Sequence, residues 1–182
     1  AWFLIKYRME FEDYPFDVQE LTLKTEPRGY NKLFAFRDFE FYKDEKLLGR
    51  IHSMWSIVDI DSRSIVPIPN ALENNPKMVP FEKREDDLSF AKISPITNPT
   101  LEKELEVRYN DLDVNGHANN GNYIVWALEP LSFEFKNSHK IKTLDMIYKK
   151  EAKFGEKFVS QVEFKDEKTT IHRLQNLDGE DL

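Results

Sequence analysis

A chain of 182 residues is long enough for one domain, or for two small ones side by side. With 40% hydrophobic and 32% charged residues it has the make-up of a folded globular protein, and its net charge of -7 argues against broad nucleic-acid binding. The absence of cysteine removes disulfides, thiolate metal sites and a cysteine nucleophile, and no apolar run approaches the roughly 20 residues that a membrane helix needs.

The chain opens in a strand-like run. Phe3, Ile5, Tyr7, Met9 and Phe11 alternate with less apolar neighbours, the period-two pattern of a half-buried strand. Ala1 to Tyr7 does not read as a secretory signal, so the cytoplasm is the expected compartment. Further strands are predicted over residues 21–25, 33–42 and 47–60, the last with Gly49 as a candidate bulge. Turn signals at Tyr14-Pro15, at Pro27-Arg28-Gly29 and over residues 43–46 separate them into an antiparallel meander.

Six prolines between residues 66 and 104 (Pro67, Pro69, Pro76, Pro80, Pro95 and Pro99) interrupt any long element, so this stretch is expected to be a linker crossing a surface. A strand resumes at Leu105, followed by the polar run Asn110-Asp111-Leu112-Asp113-Val114-Asn115-Gly116-His117-Ala118-Asn119-Asn120. A helix follows, with Asn119 or Asn120 as N-cap and one apolar stripe formed by Tyr123, Ile124, Ala127, Leu128 and Leu131. Strands return over residues 144–154, 157–164 and 169–174, and Asp178-Gly179 is a hairpin signal. Tyr7-Arg8-Met9-Glu10 and Tyr148-Lys149-Lys150-Glu151 echo one another as Tyr-x-x-Glu with a similar strand schedule around them, which suggests an internal duplication.

The polar run admits three chemistries. Asp111, Asp113, Asn115 and Gly116 imitate the start of a calcium loop, but the twelfth position, where a bidentate Glu is required, is Asn122, and the incoming segment is a strand. His117 is the only histidine of the loop, and His139 and His172 lack ligand spacing, which weighs against zinc. A catalytic loop leading into a helix N-terminus is the third: free backbone N–H groups there polarise a carbonyl, Asn115 donates, His117 donates or accepts, and Asp113 orients either. A plain polar turn with Asx hydrogen bonds fits the same residue types equally well.

Residues 108–129, with Asp111-Leu112-Asp113-Val114-Asn115-Gly116-His117-Ala118-Asn119-Asn120 and Tyr123-Ile124-x-Trp126-x-Leu128-Glu129, closely resemble the signature of acyl-acyl carrier protein thioesterases. The resemblance extends over nearly the whole chain and implies an α+β architecture of tandem hotdog folds, each a curved antiparallel sheet wrapping a helix. It implies a partial first hotdog over residues 1–65 that lacks its N-terminal part and its helix, a linker over 66–104, and a second hotdog over 105–182 that is truncated at its C-terminal end. By motif position the catalytic set falls on Asp113, Asn115, His117 and Glu151, with Asn119, Asn120 and Trp55 expected to bind substrate. Plant members carry a cysteine directly after the glutamate; Ala152 stands there, which favours a water activated by Glu151 over a thiol. Gly116 replaces a larger residue and loosens the loop. The implied reaction is hydrolysis of a fatty acyl thioester on the phosphopantetheine arm of acyl carrier protein, with no metal or organic cofactor and no nucleic acid or membrane insertion. An acyl-CoA thioesterase and a non-catalytic acyl-binding module are the alternatives. Family habit leans toward a homodimer, while a duplicated fold leaves a monomer open. Seven lysines over residues 136–157, against Asp145, Glu151 and Glu156, leave a net +4 that could steer an acidic carrier.

Overall fold

The computed structural model describes residues 1–14, 20–71 and 79–182. In chain order these form β1 (Trp2–Phe11), β2 (Thr22–Tyr30), β3 (Ala35–Lys43), β4 (Lys46–Val58), β5 (Ile65–Val66), α1 (Ile68–Ala71) and β6 (Leu101–Glu106). Then come α2 (Asn120–Leu128), α3 (Phe133–Ser138), β7 (Thr143–Ile147), β8 (Lys157–Phe164) and β9 (Thr170–Asn176). They divide into two compact units, one of residues 1–91 with 141–147 and one of residues 92–140 with 148–182.

The first unit is one antiparallel sheet in the order β2-β3-β4-β1-β7, with β5 paired to the end of β4. The expected meander holds for β2-β3-β4 alone: β1 pairs with β4 rather than β2, and the turn read at Pro27-Arg28-Gly29 lies inside β2 as an irregularity of the strand. The turn read at Tyr14-Pro15 and the linker proline Pro76 fall on or beside residues outside the described ones. The bulge foreseen at Gly49 is there: Phe41 faces Gly49 while Tyr42 faces Leu47, so Leu48 is the extra residue, and its side chain is buried. A second irregularity follows Pro27, where Gly29 adopts φ +98 and lies so close to the next segment that a Cβ would sit 2.6 Å from the carbonyl oxygen of Val79. Only glycine meets both demands. The Tyr30 and Phe81 amides then fix residues 79–81 along β2, donating to Val79 and Tyr30.

The middle of the proline-rich stretch is therefore not a free surface crossing. Arg28 is buried and donates to Asp38 and, at 2.6 and 3.1 Å, to both carboxylate oxygens of Asp87; His52 Nδ1 lies 2.5 Å from the other oxygen of Asp38. Phe36 is covered by Phe81, ring centroids 4.2 Å apart. The charge run over residues 83–87 supplies one member of a buried cluster rather than a solvated loop. The strand expected from Leu105 begins at Leu101, which pairs with Val162.

The second unit is a three-stranded antiparallel sheet, β6-β8-β9, with α2 packed on β8 and β9. Tyr123, Trp126 and Ala127 are buried from the helix, and Phe158, Val162 and Leu174 from the strands; Trp126 meets Phe158 at 4.7 Å between centroids. Two polar sheet residues bond carbonyls of the last helical turn: Ser160 Oγ donates to Trp126, which also accepts the Glu129 amide, and His172 Nδ1 donates to Ala127. Burial of the imidazole outweighs its carbonyl partner and lowers the His172 pKa. Glu163 accepts the Thr97 and Asn98 amides and so ties the segment before β6 to β8.

Two further expectations are corrected. The strand read over residues 144–154 ends at Ile147, and its partner is β1: Tyr7 faces Met146 and Glu10 faces Thr143. Beyond it the amide and carbonyl of Ala152 go to the Tyr123 hydroxyl and the Ala118 amide rather than to a ladder. The Tyr-x-x-Glu echo consequently joins unlike structures, the middle of β1 and a loop. The short α3, capped by Ser132 accepting the Phe135 amide at 3.1 Å, was not foreseen.

Candidate functional site

The polar run folds into a tight loop between β6 and α2. A single turn of 3-10 helix, Tyr109–Asp111, opens it. The Asp111 carboxylate turns inward, accepting the Arg108 amide at 2.8 Å and the Arg108 guanidinium at 3.0 and 3.2 Å. Its backbone carbonyl accepts from the Asn119 amide at 2.8 Å and from Asn122 Nδ2 at 2.8 Å. One residue thus anchors both the start of the loop and the start of the helix.

Leu112 and Ala118 then pair across the loop as an isolated antiparallel bridge. Between them Asp113 works as an internal cap: its Oδ1 accepts the Asn115 amide at 2.8 Å and the His117 amide at 3.4 Å, and Asn115 Nδ2 lies 3.4 Å from Oδ2. Gly116 closes the turn at φ +78, its amide donating to the Asp113 carbonyl at 3.1 Å. Its left-handed backbone conformation suits the glycine there. Partial burial would raise the Asp113 pKa, but the Asn115 amide, its side chain and the His117 amide hold it below the ordinary carboxylate range. Asp111 is lowered in the same sense, Arg108 outweighing burial.

A second bridge, His117 to Lys153, brings in the segment after β7. His117 Nδ1 then lies 3.6 Å from Glu151 Oε1, with both side chains about 30% exposed (27% and 32%). An imidazole and a carboxylate from positions 34 residues apart therefore share one half-open surface, within reach of solvent and of each other. Such a pair can take a proton from water and pass it on.

Of the predicted site residues, Asp113, Asn115, His117, Asn119, Asn120 and Glu151 all belong to the second unit. Asn119 is the N-cap, its Oδ1 accepting the Gly121 amide at 2.9 Å. Its own amide, one of the two expected to face a carbonyl oxygen, is already given to Asp111. Asn120 opens the helix, and its carbonyl accepts the Tyr148 hydroxyl at 2.9 Å. Trp55 lies elsewhere, on β4 of the first unit, between Leu4 and Ala35, with its indole N–H donating to Ser53 at 2.8 Å. In the sequence Asp111 stood in the calcium-like pattern and in the family signature, and Tyr123 in the apolar stripe and the same signature, neither with a role of its own. Both prove to hold backbone. Nor is the lysine-rich stretch a bare basic face: Lys136, Lys142, Lys149, Lys150 and Lys157 each have an acidic partner, Glu129, Glu12, Asp181, Glu180 and Glu104.

Residues 1–75 match the family model of the acyl-ACP thioesterase N-terminal domain, and residues 95–182 match that of the acyl-ACP thioesterase C-terminal domain. Among curated relatives, a chloroplastic acyl-[acyl-carrier-protein] hydrolase of Cuphea viscosissima is 27% identical over 159 residues, 84% of this chain and 38% of its own length. A chloroplastic oleoyl-acyl carrier protein thioesterase of Coriandrum sativum is 25% identical over 190 residues, 98% of this chain and 51% of its own. The chain thus spans between 38% and 51% of the length of these relatives. Among solved structures, an oleoyl thioesterase from Lactobacillus plantarum is 26% identical with a TM-score of 0.85, covering 100% of this chain and 72% of that one. The 12:0-ACP thioesterase from Umbellularia californica, 21% identical, has a TM-score of 0.84, over 100% and 70%. The antiparallel sheets and few helices match those thioesterase structures, and the fold is of the hotdog class. No described helix is long and apolar enough to cross a membrane.

Proposed function

This chain belongs to the acyl-acyl carrier protein thioesterase family, and we propose from that premise that it hydrolyses fatty acyl thioesters of acyl carrier protein to the free acid and the carrier thiol. The observation that carries this reading is the approach of Glu151, on the segment after β7, to within 3.6 Å of His117, on the loop that Asp113 caps.

Glu151 is the general base. It takes a proton from a water molecule as the water oxygen attacks the thioester carbonyl; the C–S bond then breaks, and the proton is returned to the departing sulfur. His117, beside Glu151, fixes the water or the carbonyl oxygen. Asn115 lies on the same exposed turn; its backbone amide is engaged by Asp113, and its side-chain Nδ2 offers the developing oxyanion the N–H that does not face Asp113, a contribution typically worth about 3–4 kcal/mol per donor. Asp113 holds Asn115 and His117 in register. At the helix start the donor left for the substrate is that of Asn120, since Asn119 is engaged. Ala152 is fully buried and carries no thiol, so nucleophilic catalysis at that position is closed and the water route remains. In the first unit Trp55, its N–H already satisfied, offers an apolar ring to the acyl chain.

The test compares hydrolysis of palmitoyl and oleoyl groups presented on carrier protein and on CoA by the same preparation. Preference for the carrier-bound substrates by an order of magnitude or more supports the proposal. Equal rates on both would replace it with a general acyl thioesterase, and no turnover of either would leave an acyl-binding module.

A further inference from the structure

The structure assigns Tyr123 as the positioning residue of Glu151, an inference that rests on Glu151 being the base. The Tyr123 hydroxyl accepts the Ala152 amide at 2.8 Å and donates to the Lys150 carbonyl at 3.3 Å. These are the backbone groups on either side of Glu151. No strand or helix runs through residues 148–152, so the backbone there depends on individual hydrogen bonds of this kind. The phenol that supplies them is itself buried, at 2% exposure, and Ala152 is at 0%.

The ring is held from two sides, with Trp126 at 5.1 Å and Tyr148 edge-on at 5.3 Å. Tyr148 in turn ties to the first residue of α2 through the Asn120 carbonyl. Helix α2 therefore sets both partners of the candidate pair. Its N-cap, Asn119, follows directly on the His117 loop and is pinned to Asp111, and one turn later it presents the hydroxyl that fixes the Glu151 backbone. A phenylalanine would fill the same space but leave the Ala152 amide buried without its partner, so the segment has to shift to find another. A displacement on the order of 1 Å at a reacting group costs about 100-fold in rate.

The experiment measures kcat and KM on palmitoyl- and oleoyl-carrier protein for the wild type, Tyr123→Phe, Glu151→Gln and the double variant, with a thermal melt on each. Tyr123→Phe is expected to lower kcat by about 10–100-fold with KM within about twofold, and to add less than about twofold in the Glu151→Gln background, because the two act through one group. Equal losses in both backgrounds would make Tyr123 a purely structural residue and overturn the assignment. So would wild-type kcat in Tyr123→Phe beside a disabled Glu151→Gln. Wild-type turnover in Glu151→Gln is a different failure: it removes the base itself, and the positioning role with it. Should Tyr123→Phe fail to fold, amide exchange in the wild-type protein decides. Protection of the Ala152 amide well above that of an open loop supports the clamp; exchange at the free rate overturns it.

Discussion

Replacing Asp111 by alanine separates two ways in which the loop could be anchored. The Asp111 side chain is 4% exposed and that of Arg108 73% exposed, so the ion pair between them sits with its cation in water. An exposed pair of this kind contributes about 0–1 kcal/mol. The bond from the Arg108 backbone amide to the same carboxylate, at 2.8 Å, is of a different order, because a hydrogen bond to a charged group contributes about 1.5–3 kcal/mol. Asp111→Ala loses both and is expected to cost about 2–3 kcal/mol. Arg108→Ala keeps the backbone bond and should be close to neutral. For a chain of this size each kcal/mol moves the melting temperature by roughly 2–4 °C, which separates the two variants clearly. Urea midpoints on both, with turnover of a carrier-bound thioester measured alongside, test the argument. Activity should fall in Asp111→Ala, since the same residue's carbonyl receives the Asn119 amide that starts α2. Losses that are equal, or both under about 0.5 kcal/mol, would show that the inward-turned carboxylate does not anchor the loop.

Arg28→Met should be the most damaging change in the first unit, because it strands the buried carboxylate of Asp87, 4% exposed; breaking a buried pair costs about 3–5 kcal/mol, readable as the shift of the urea midpoint. Phe158→Ala, at 0% exposure and against Trp126, should cost about 3–5 kcal/mol in the same assay. Two pH limbs follow from the site's surroundings. Lys165 and the Asn98 and Thr97 amides hold the Glu163 pKa down to about 2 from 4.5, so its contribution is complete above about pH 4.5 and is lost as pH falls toward 2, a limb that Glu163→Gln should remove. His172 has the opposite origin: burial lowers its folded pKa below 6.5, the unfolded chain takes up the proton first, and stability falls as pH drops through 6.5; His172→Gln should flatten that limb.

The strands of the first unit were legible because apolar residues alternate along β1 and turn signals such as residues 43–46 bound the strands. The loop and α2 were legible because Asn119 caps a helix with an apolar stripe, and the resemblance supplied Glu151, which no local pattern marks. Strand partners were not. Residues 144–147 read as a strand on period alone, but period says nothing about which neighbour accepts the hydrogen bonds, and β1 is the neighbour. Charge counting failed for the same kind of reason. The lysines over residues 136–157 are an excess in sequence, but five of them meet acids from elsewhere in the chain.

The deeper illegibility is that of polar atoms on apolar-looking residues. Tyr123 fits the buried stripe of α2 as well as any phenylalanine would, so helical periodicity has no means of distinguishing its ring from its hydroxyl. The hydroxyl matters only because the segment it meets has left its sheet and must satisfy its buried amides one at a time. Where a chain leaves regular structure at a reactive carboxylate, something off the local sequence has to hold the backbone. The holder is then best sought among buried tyrosines, serines and threonines of the nearest helix, not among the charged residues that mark the site. Asp111 obeys the same logic at the other end of the loop: its position is set by two backbone amides and one carbonyl, and its charge is incidental to Arg108, which points into solvent. The candidate pair of His117 and Glu151 is therefore placed by residues that carry no chemistry of their own, and the activity should prove as sensitive to Tyr123 and Asp111 as to Asn115.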